Sequence, residues 1–211
     1  MKHNPALFTL YAVTDRTWLG ERTLAQVVEE ALAGGVTLLQ LREKGMPEEA
    51  FIQEARTLLP LCRRYRVPLI INDNVSVALR SGADGVHLGQ EDMPLREARR
   101  ILGPEKIIGI SARTVSDALR AEESGADYLG VGAVFSTSTK TDAKHISLET
   151  LGEIRAAVRI PLVAIGGIGP DNILKLAHSG VQGVAVVSSL FAQKDIRLAA
   201  SRLRHLSEQI I

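Results

Sequence analysis

The chain has 211 residues, 45% of them hydrophobic and 23% charged, which reads as one globular domain of about 70% surface burial. Its 25 basic and 24 acidic residues leave a formal charge of +1, too balanced for a nucleic-acid face. One cysteine excludes an internal disulfide or zinc knuckle, and no apolar run reaches the roughly 20 residues of a membrane span. The region before residue 16 shows neither the apolar stretch nor the cleavage site of a signal peptide, so a cytoplasmic protein is expected.

Short β-branched runs recur at 8–15, 38–42, 69–72, 85–88, 107–111, 128–135, 162–165 and 184–188. Helical periods lie between them. Leu24, Val27, Val28, Ala31 and Leu32 form one apolar helix face, opened by a Thr23/Gln26 capping box. Pro47-Glu48-Glu49 suits a first helical turn, and Thr114 with Asp117 repeats the capping signal. Four related segments, Ala33-Gly34-Gly35-Val36, Ser81-Gly82-Ala83-Asp84, Ser124-Gly125-Ala126-Asp127 and Ser179-Gly180-Val181-Gln182, each close a helix and open a strand. Eight strands, eight helices and this two-unit repeat predict a single α/β domain over 1–211, a (β/α)8 TIM barrel. A doubly wound open sheet is the second choice, and it would not need eight units.

In such a barrel the active site lies at the C-terminal ends of the strands. Polar residues collect there. Gln40, Arg42 and Lys44 alternate on one side of the second strand, opposite Leu39 and Leu41, and suit a multiply charged anion. Asp73 and Asp92 end neighbouring strands, a setting for Mg2+ against a diphosphate, although either carboxylate could simply cap a helix. The absence of a His/Cys cluster argues against zinc. The hydroxyl-rich stretch 136–140, ending in Lys140, could wrap a phosphate. Gly166-Gly167 and Val187-Ser188-Ser189 follow the seventh and eighth strands, where barrels hold phosphate on backbone N–H groups. Cys62 reads as a buried hydrophobe, and the orientation of His87 is left open.

The motifs Leu10-Tyr11-Ala12-Val13-Thr14-Asp15, Gln40-Leu41-Arg42-Glu43-Lys44, Ile71-Asn72-Asp73, Gly85-Val86-His87-Leu88-Gly89-Gln90-Glu91-Asp92, Thr137-Ser138-Thr139-Lys140-Thr141-Asp142 and Ala164-Ile165-Gly166-Gly167-Ile168 run in order along nearly the whole chain. Together they resemble the thiamine-phosphate synthase family. The resemblance implies a transferase that joins 4-amino-2-methyl-5-(diphosphooxymethyl)pyrimidine to thiazole phosphate or its carboxylate. It implies that Gln40, Leu41, Arg42, Glu43, Lys44, Asn72, Ser111 and Lys140 hold the pyrimidine diphosphate. Thr137, Ser138, Thr139, Gly167, Val187 and Ser188 would hold the thiazole phosphate, and Asp73 and Asp92 a Mg2+ cofactor. Arg42, Ser111 and Lys140 would be catalytic. The partners are then two phosphorylated small molecules, with no nucleic acid and no membrane, and a homo-oligomer is compatible with the chain. Arg113 departs from a superfamily in which His often follows the fifth-strand serine. Ala133 and Ser136 stand where proline is common. The rival readings are a thiazole tautomerase on the same barrel, a non-catalytic thiamine-phosphate-binding paralogue, and a Schiff-base aldolase using Lys44 or Lys140.

Overall fold

The computed structural model describes residues 4–136 and 145–211. Eight parallel strands close a barrel in sequence order: β1 (Leu10–Val13), β2 (Leu38–Leu41), β3 (Leu69–Asn72), β4 (Gly85–Leu88), β5 (Ile107–Ala112), β6 (Tyr128–Gly132), β7 (Leu162–Ile165) and β8 (Gly183–Val186). β1 pairs with both β2 and β8, so no edge is left among these strands. Around them run α1 (Leu24–Ala33), α2 (Glu48–Tyr65), α3 (Val75–Ser81), α4 (Leu95–Leu102), α5 (Val115–Glu123) and α6 (Leu148–Ala157), then α7 (Ser188–Phe191) and α8 (Ile196–Glu208). None of the described helices is long and apolar enough to cross a membrane.

The expected barrel is therefore present, with strand ends shifted by a residue or two and some larger local differences. The first strand starts at Leu10 rather than residue 8, because residues Pro5–Phe8 form a 3-10 turn capped by the Asn4 side chain. The sixth ends at Gly132 rather than residue 135. The seventh connection holds only a 3-10 turn, Ile173–Leu176, where an α-helix was expected. A glycine-rich loop takes up the start of that connection and His178, at φ 66°, stops its end, so no full helix fits. The short α7 after β8 is an extra helix at the barrel mouth.

Two apolar layers result from strand alternation. Leu10, Ala12, Leu39, Leu41, Val86 and Leu88 face outward into the layer beneath the helices. Tyr11, Val13, Leu38, Ile70, Ile107, Tyr128, Val163 and Ala185 fill the barrel interior, with Leu7 and Phe8 closing its N-terminal end. The predicted capping box of α1 is complete: Gln26 N–H donates to Thr23 Oγ1 at 3.2 Å and Thr23 N–H to Gln26 Oε1 at 2.8 Å.

The four-part repeat has a physical purpose. Its last position, or the residue after it, is Thr37, Asp84, Asp127 or Gln182. Each side chain accepts a hydrogen bond from a backbone N–H at the start of the preceding strand, those of Leu10 (2.9 Å), Leu69, Ile108 and Leu162 (each 2.8 Å). Each backbone N–H donates in turn to the carbonyl of that same residue, at 2.8–2.9 Å. The pair of bonds satisfies buried strand ends at the bottom of the barrel and sets the register of one strand pair in two.

Candidate active site

A concave pocket opens at the C-terminal mouth of the barrel, the end at which a (β/α)8 enzyme carries its chemistry. Its cavity volume is about 180 Å3. Gln40, Arg42, Asn72 and Ser111 line one side, and Gly167, Val187 and Ser188 line another. Seven of the residues singled out from sequence thus share one pocket.

Local structure explains their placement. Gln40 is inward on β2 and 4% exposed. The Thr14 hydroxyl accepts from the Arg42 backbone N–H at 2.9 Å, while Thr14 N–H donates to the Gln40 carbonyl, pinning the end of β2 against β1. The Arg42 guanidinium lies 3.6 Å from the Asp15 carboxylate, which holds it at the rim while leaving donors for an anion. Asp15 itself is fixed by accepting from the Thr17 N–H and hydroxyl.

Other predicted residues fall elsewhere. Leu41 is fully buried and packs outward against the helices. Both Glu43 carboxylate oxygens accept from Arg16 Nε, at 2.8 and 2.9 Å, so Glu43 anchors the loop after β1. Lys44 is exposed beyond the end of β2 and does not line the main pocket. Thr137, Ser138, Thr139 and Lys140 lie outside the described residues.

Asp73 and Asn72 line a second pocket together with Glu43 and Met93, beside the first, which Asn72 also lines. Asp73 is left-handed at φ 61°, with its N–H on the His87 carbonyl at 2.8 Å and Asn72 Nδ2 donating to its Oδ2 at 2.5 Å. Asp92 Oδ2 accepts from Gly89 N–H at 2.6 Å. Among the described residues no three metal-ligating side chains cluster. Each carboxylate is a hard-oxygen donor, the donor chemistry that suits Mg2+, which usually keeps several waters and takes one or two carboxylates plus substrate phosphates.

The opposite wall is built from backbone. Gly167 sits at φ 64°, and a Cβ placed there would come 2.2 Å from the Ser136 carbonyl oxygen. Only glycine lets the two loops approach so closely. The adjoining Gly169 loop is held by Asn172, which accepts from Gly169 N–H and donates to the Gly167 carbonyl, each at 2.9 Å. α7 begins beside it, and the first N–H groups of a helix have no carbonyl within their own helix. Ser189 Oγ, in the first turn of α7, is buried without a hydrogen-bond partner among the described residues. A phosphate oxygen there would satisfy such groups.

Sequence reasoning left one feature open. His87 points inward, its Nδ1 2.9 Å from Tyr128 Oη and its Nε2 3.0 Å from Ser111 Oγ. Tyr128 Oη in turn meets Tyr11 Oη at 2.8 Å, and Gln40 Nε2 donates to Tyr11 Oη at 2.6 Å. Burial pushes both phenols well above their ordinary titration range, so both keep their protons. The signal was present in the sequence, since outward Val86 and Leu88 flank His87 and outward Leu10 and Ala12 flank Tyr11. Arg113, noted as a departure, also lines the pocket.

Fold and pocket together define a (β/α)8-barrel enzyme working at the C-terminal mouth. The family model described as thiamine monophosphate synthase matches residues 10–190. A thiamine-phosphate synthase of Ruminiclostridium cellulolyticum is 51% identical over 196 residues, covering 93% of each chain. One of Clostridium tetani is 48% identical over 202 residues, 95% of this chain and 97% of the relative. A solved structure of thiamine phosphate pyrophosphorylase from Pyrococcus furiosus superposes with a TM-score of 0.90 at 42% identity, covering 98% of both chains. The chain belongs to the thiamine monophosphate synthase family, and the relatives it matches are transferases.

Proposed function

We propose that the protein condenses 4-amino-2-methyl-5-(diphosphooxymethyl)pyrimidine with thiazole phosphate, or its carboxylate, to give thiamine phosphate and diphosphate. The carboxylated substrate also releases CO2. The observation that carries this reading is the sharing of one pocket by two unlike anion-receptive walls. One is cationic and amide-lined, with Gln40, Arg42, Asn72 and Ser111; the other is backbone, with Gly167, Val187 and Ser188. Family membership supplies the identities of the two anions.

On this reading the pyrimidine diphosphate lies against the first wall. Its C–O bond breaks, the electron pair leaves with the diphosphate, and the electron-rich aminopyrimidine carries the resulting positive charge. The thiazole nitrogen, held close by its phosphate on the second wall, then forms the new C–N bond. No strong base is needed. Arg42, steadied by Asp15, stabilises charge gathering on the leaving oxygens, and Lys140 is assigned the same role. Fixing both substrates in one cavity supplies much of the remaining acceleration. Asp73 and Asp92 would hold Mg2+, which when bound neutralises diphosphate charge.

A turnover assay with both substrates, with and without Mg2+, tests the proposal. Thiamine phosphate should form only when both substrates and the metal are present. Isomerisation of the thiazole phosphate alone, or binding of thiamine phosphate without turnover, would overturn it.

A further inference from the structure

The orientation of the Gln40 amide gives the interior chain of hydrogen bonds a direction. The chain crosses five strands, from Gln40 on β2 through Tyr11 on β1, Tyr128 on β6 and His87 on β4 to Ser111 on β5. An amide nitrogen only donates, so at the Gln40 Nε2 contact Tyr11 Oη accepts. The Tyr11 proton is then directed to its other partner, Tyr128 Oη. Having accepted there, Tyr128 directs its own proton to His87 Nδ1. A ring nitrogen that accepts carries no proton, so the imidazole is neutral and protonated on Nε2. Nε2–H donates to Ser111 Oγ, which leaves the Ser111 proton for something other than the imidazole. Ser111 lines the main pocket, where the acceptor would be a ligand.

Packing holds this arrangement. Gly130 leaves the space the imidazole occupies, since a Cβ there would lie 2.9 Å from His87 Cε1. Tyr128 packs on Phe8 with ring centroids 4.9 Å apart and fills the place of the missing Gly109 side chain. A side chain at either glycine would displace its ring.

We propose that His87 is a positioning residue that fixes the Ser111 hydroxyl as a hydrogen-bond donor to the pyrimidine diphosphate. The identity of that ligand rests on the function proposed above; the direction of the chain does not. With the opposite direction Ser111 would spend its proton on His87 and could only accept from a ligand. A donor at this point helps a substrate whose oxygens gain negative charge during the reaction, and an acceptor does not.

The decisive measurement is nitrogen-15 NMR of the full-length, ligand-free protein at neutral pH, with the His87 signals assigned by their loss in His87→Gln. The expected result is the Nε2-protonated neutral tautomer. The Nδ1-protonated tautomer would overturn the proposal, because it requires the reverse direction. Kinetics give the second readout. His87→Leu should lower kcat roughly 10- to 100-fold, the range for a lost hydrogen bond to a charged group, with KM for the thiazole phosphate unchanged. His87→Gln offers an amide donor to Ser111 and should recover most of that loss. A His87→Gln variant that melts like wild type yet is as slow as His87→Leu would also overturn it. Should His87→Leu fail to fold, the wild-type tautomer and His87→Gln still decide. Wild-type turnover with both substrates tests the function separately, so the two ideas can fail independently.

Discussion

Removing one hydroxyl from the middle of the interior chain, Tyr128→Phe, gives a loss of stability whose size follows from the contacts. The ring is fully buried and keeps its packing on Phe8 and over Gly109, so no cavity larger than one oxygen opens. The change orphans two partners at once: the Tyr11 proton loses its acceptor and His87 Nδ1 loses its donor. A buried group left without its partner costs about 1–3 kcal/mol, so the variant should lose roughly 2–4 kcal/mol after partial relaxation. For a domain of this length that is on the order of 5–12 °C in midpoint temperature. Tyr11→Phe should cost a similar amount, through the stranded Gln40 Nε2 donor and the donor lost to Tyr128. The double variant should cost less than the sum, because the contact between the two phenols is counted twice. Urea unfolding of the four proteins, followed by far-ultraviolet circular dichroism, measures both quantities. A loss below about 0.5 kcal/mol in Tyr128→Phe, or strict additivity, would refute the claim that these groups depend on one another.

Binding titrations with each substrate alone should separate the two walls: Arg42→Ala weakens the pyrimidine diphosphate, Ser188→Ala mainly the thiazole phosphate, and equal losses for both ligands in both variants would mean one shared site. Gly167→Ala should raise KM for the thiazole phosphate about tenfold or more, because its Cβ would meet the Ser136 carbonyl and force the loop away from a φ of 64°; steady-state kinetics check it. Burial, then the charge of Asp84, pushes the Cys62 thiol up to about 12 from 9.0. The folded state thus binds this proton more tightly than the unfolded one, so the contribution is complete below pH 9 and is lost as pH rises toward 12. Wild-type stability should therefore fall more steeply than that of Cys62→Ala across that window, and native protein should resist thiol reagents at pH 8 until unfolded.

Much of the fold was legible because one residue type does one job at each level. The glycine before Asp84 or Asp127 takes a left-handed φ of 80° or 90°, which marks a helix end from sequence alone. What the acid after it does could not be read, since its partner, an N–H on the preceding strand, is distant in the chain. The site divides in the same way. Arg42, Asn72, Ser111, Gly167 and Ser188 line one pocket because strand ends point to one mouth. Leu41 and Glu43 belong to the same motif, yet alternation turns Leu41 into the outer layer, and Arg16 from a neighbouring loop engages Glu43. Lys44 lies past the last paired residue, where a period of two no longer governs direction. His87 needed its neighbours to be read as outward before it could be placed, and its partners sit 24 and 41 residues away in sequence.

The interior chain also bears on why this barrel is not filled like an ordinary core. Tyr11, Gln40 and Tyr128 are almost wholly buried, and apolar side chains of similar volume would satisfy packing without any polar group to match. A buried polar group is costly wherever one partner fails, so five linked groups make the centre of the barrel sensitive to every one of its members. Stability therefore does not account for the chain, and location does. Its far end, Ser111, opens into the pocket, and its near end, Gln40, lies on the strand that carries Arg42 to the rim. Each member has a hydrogen-bond neighbour on another strand, so orientation is set before a ligand arrives. Groups that need not reorganise during the reaction are the ones that lower its barrier most. The floor of the pocket is thus part of the site, since Tyr11, Gln40, His87 and Ser111 all line it.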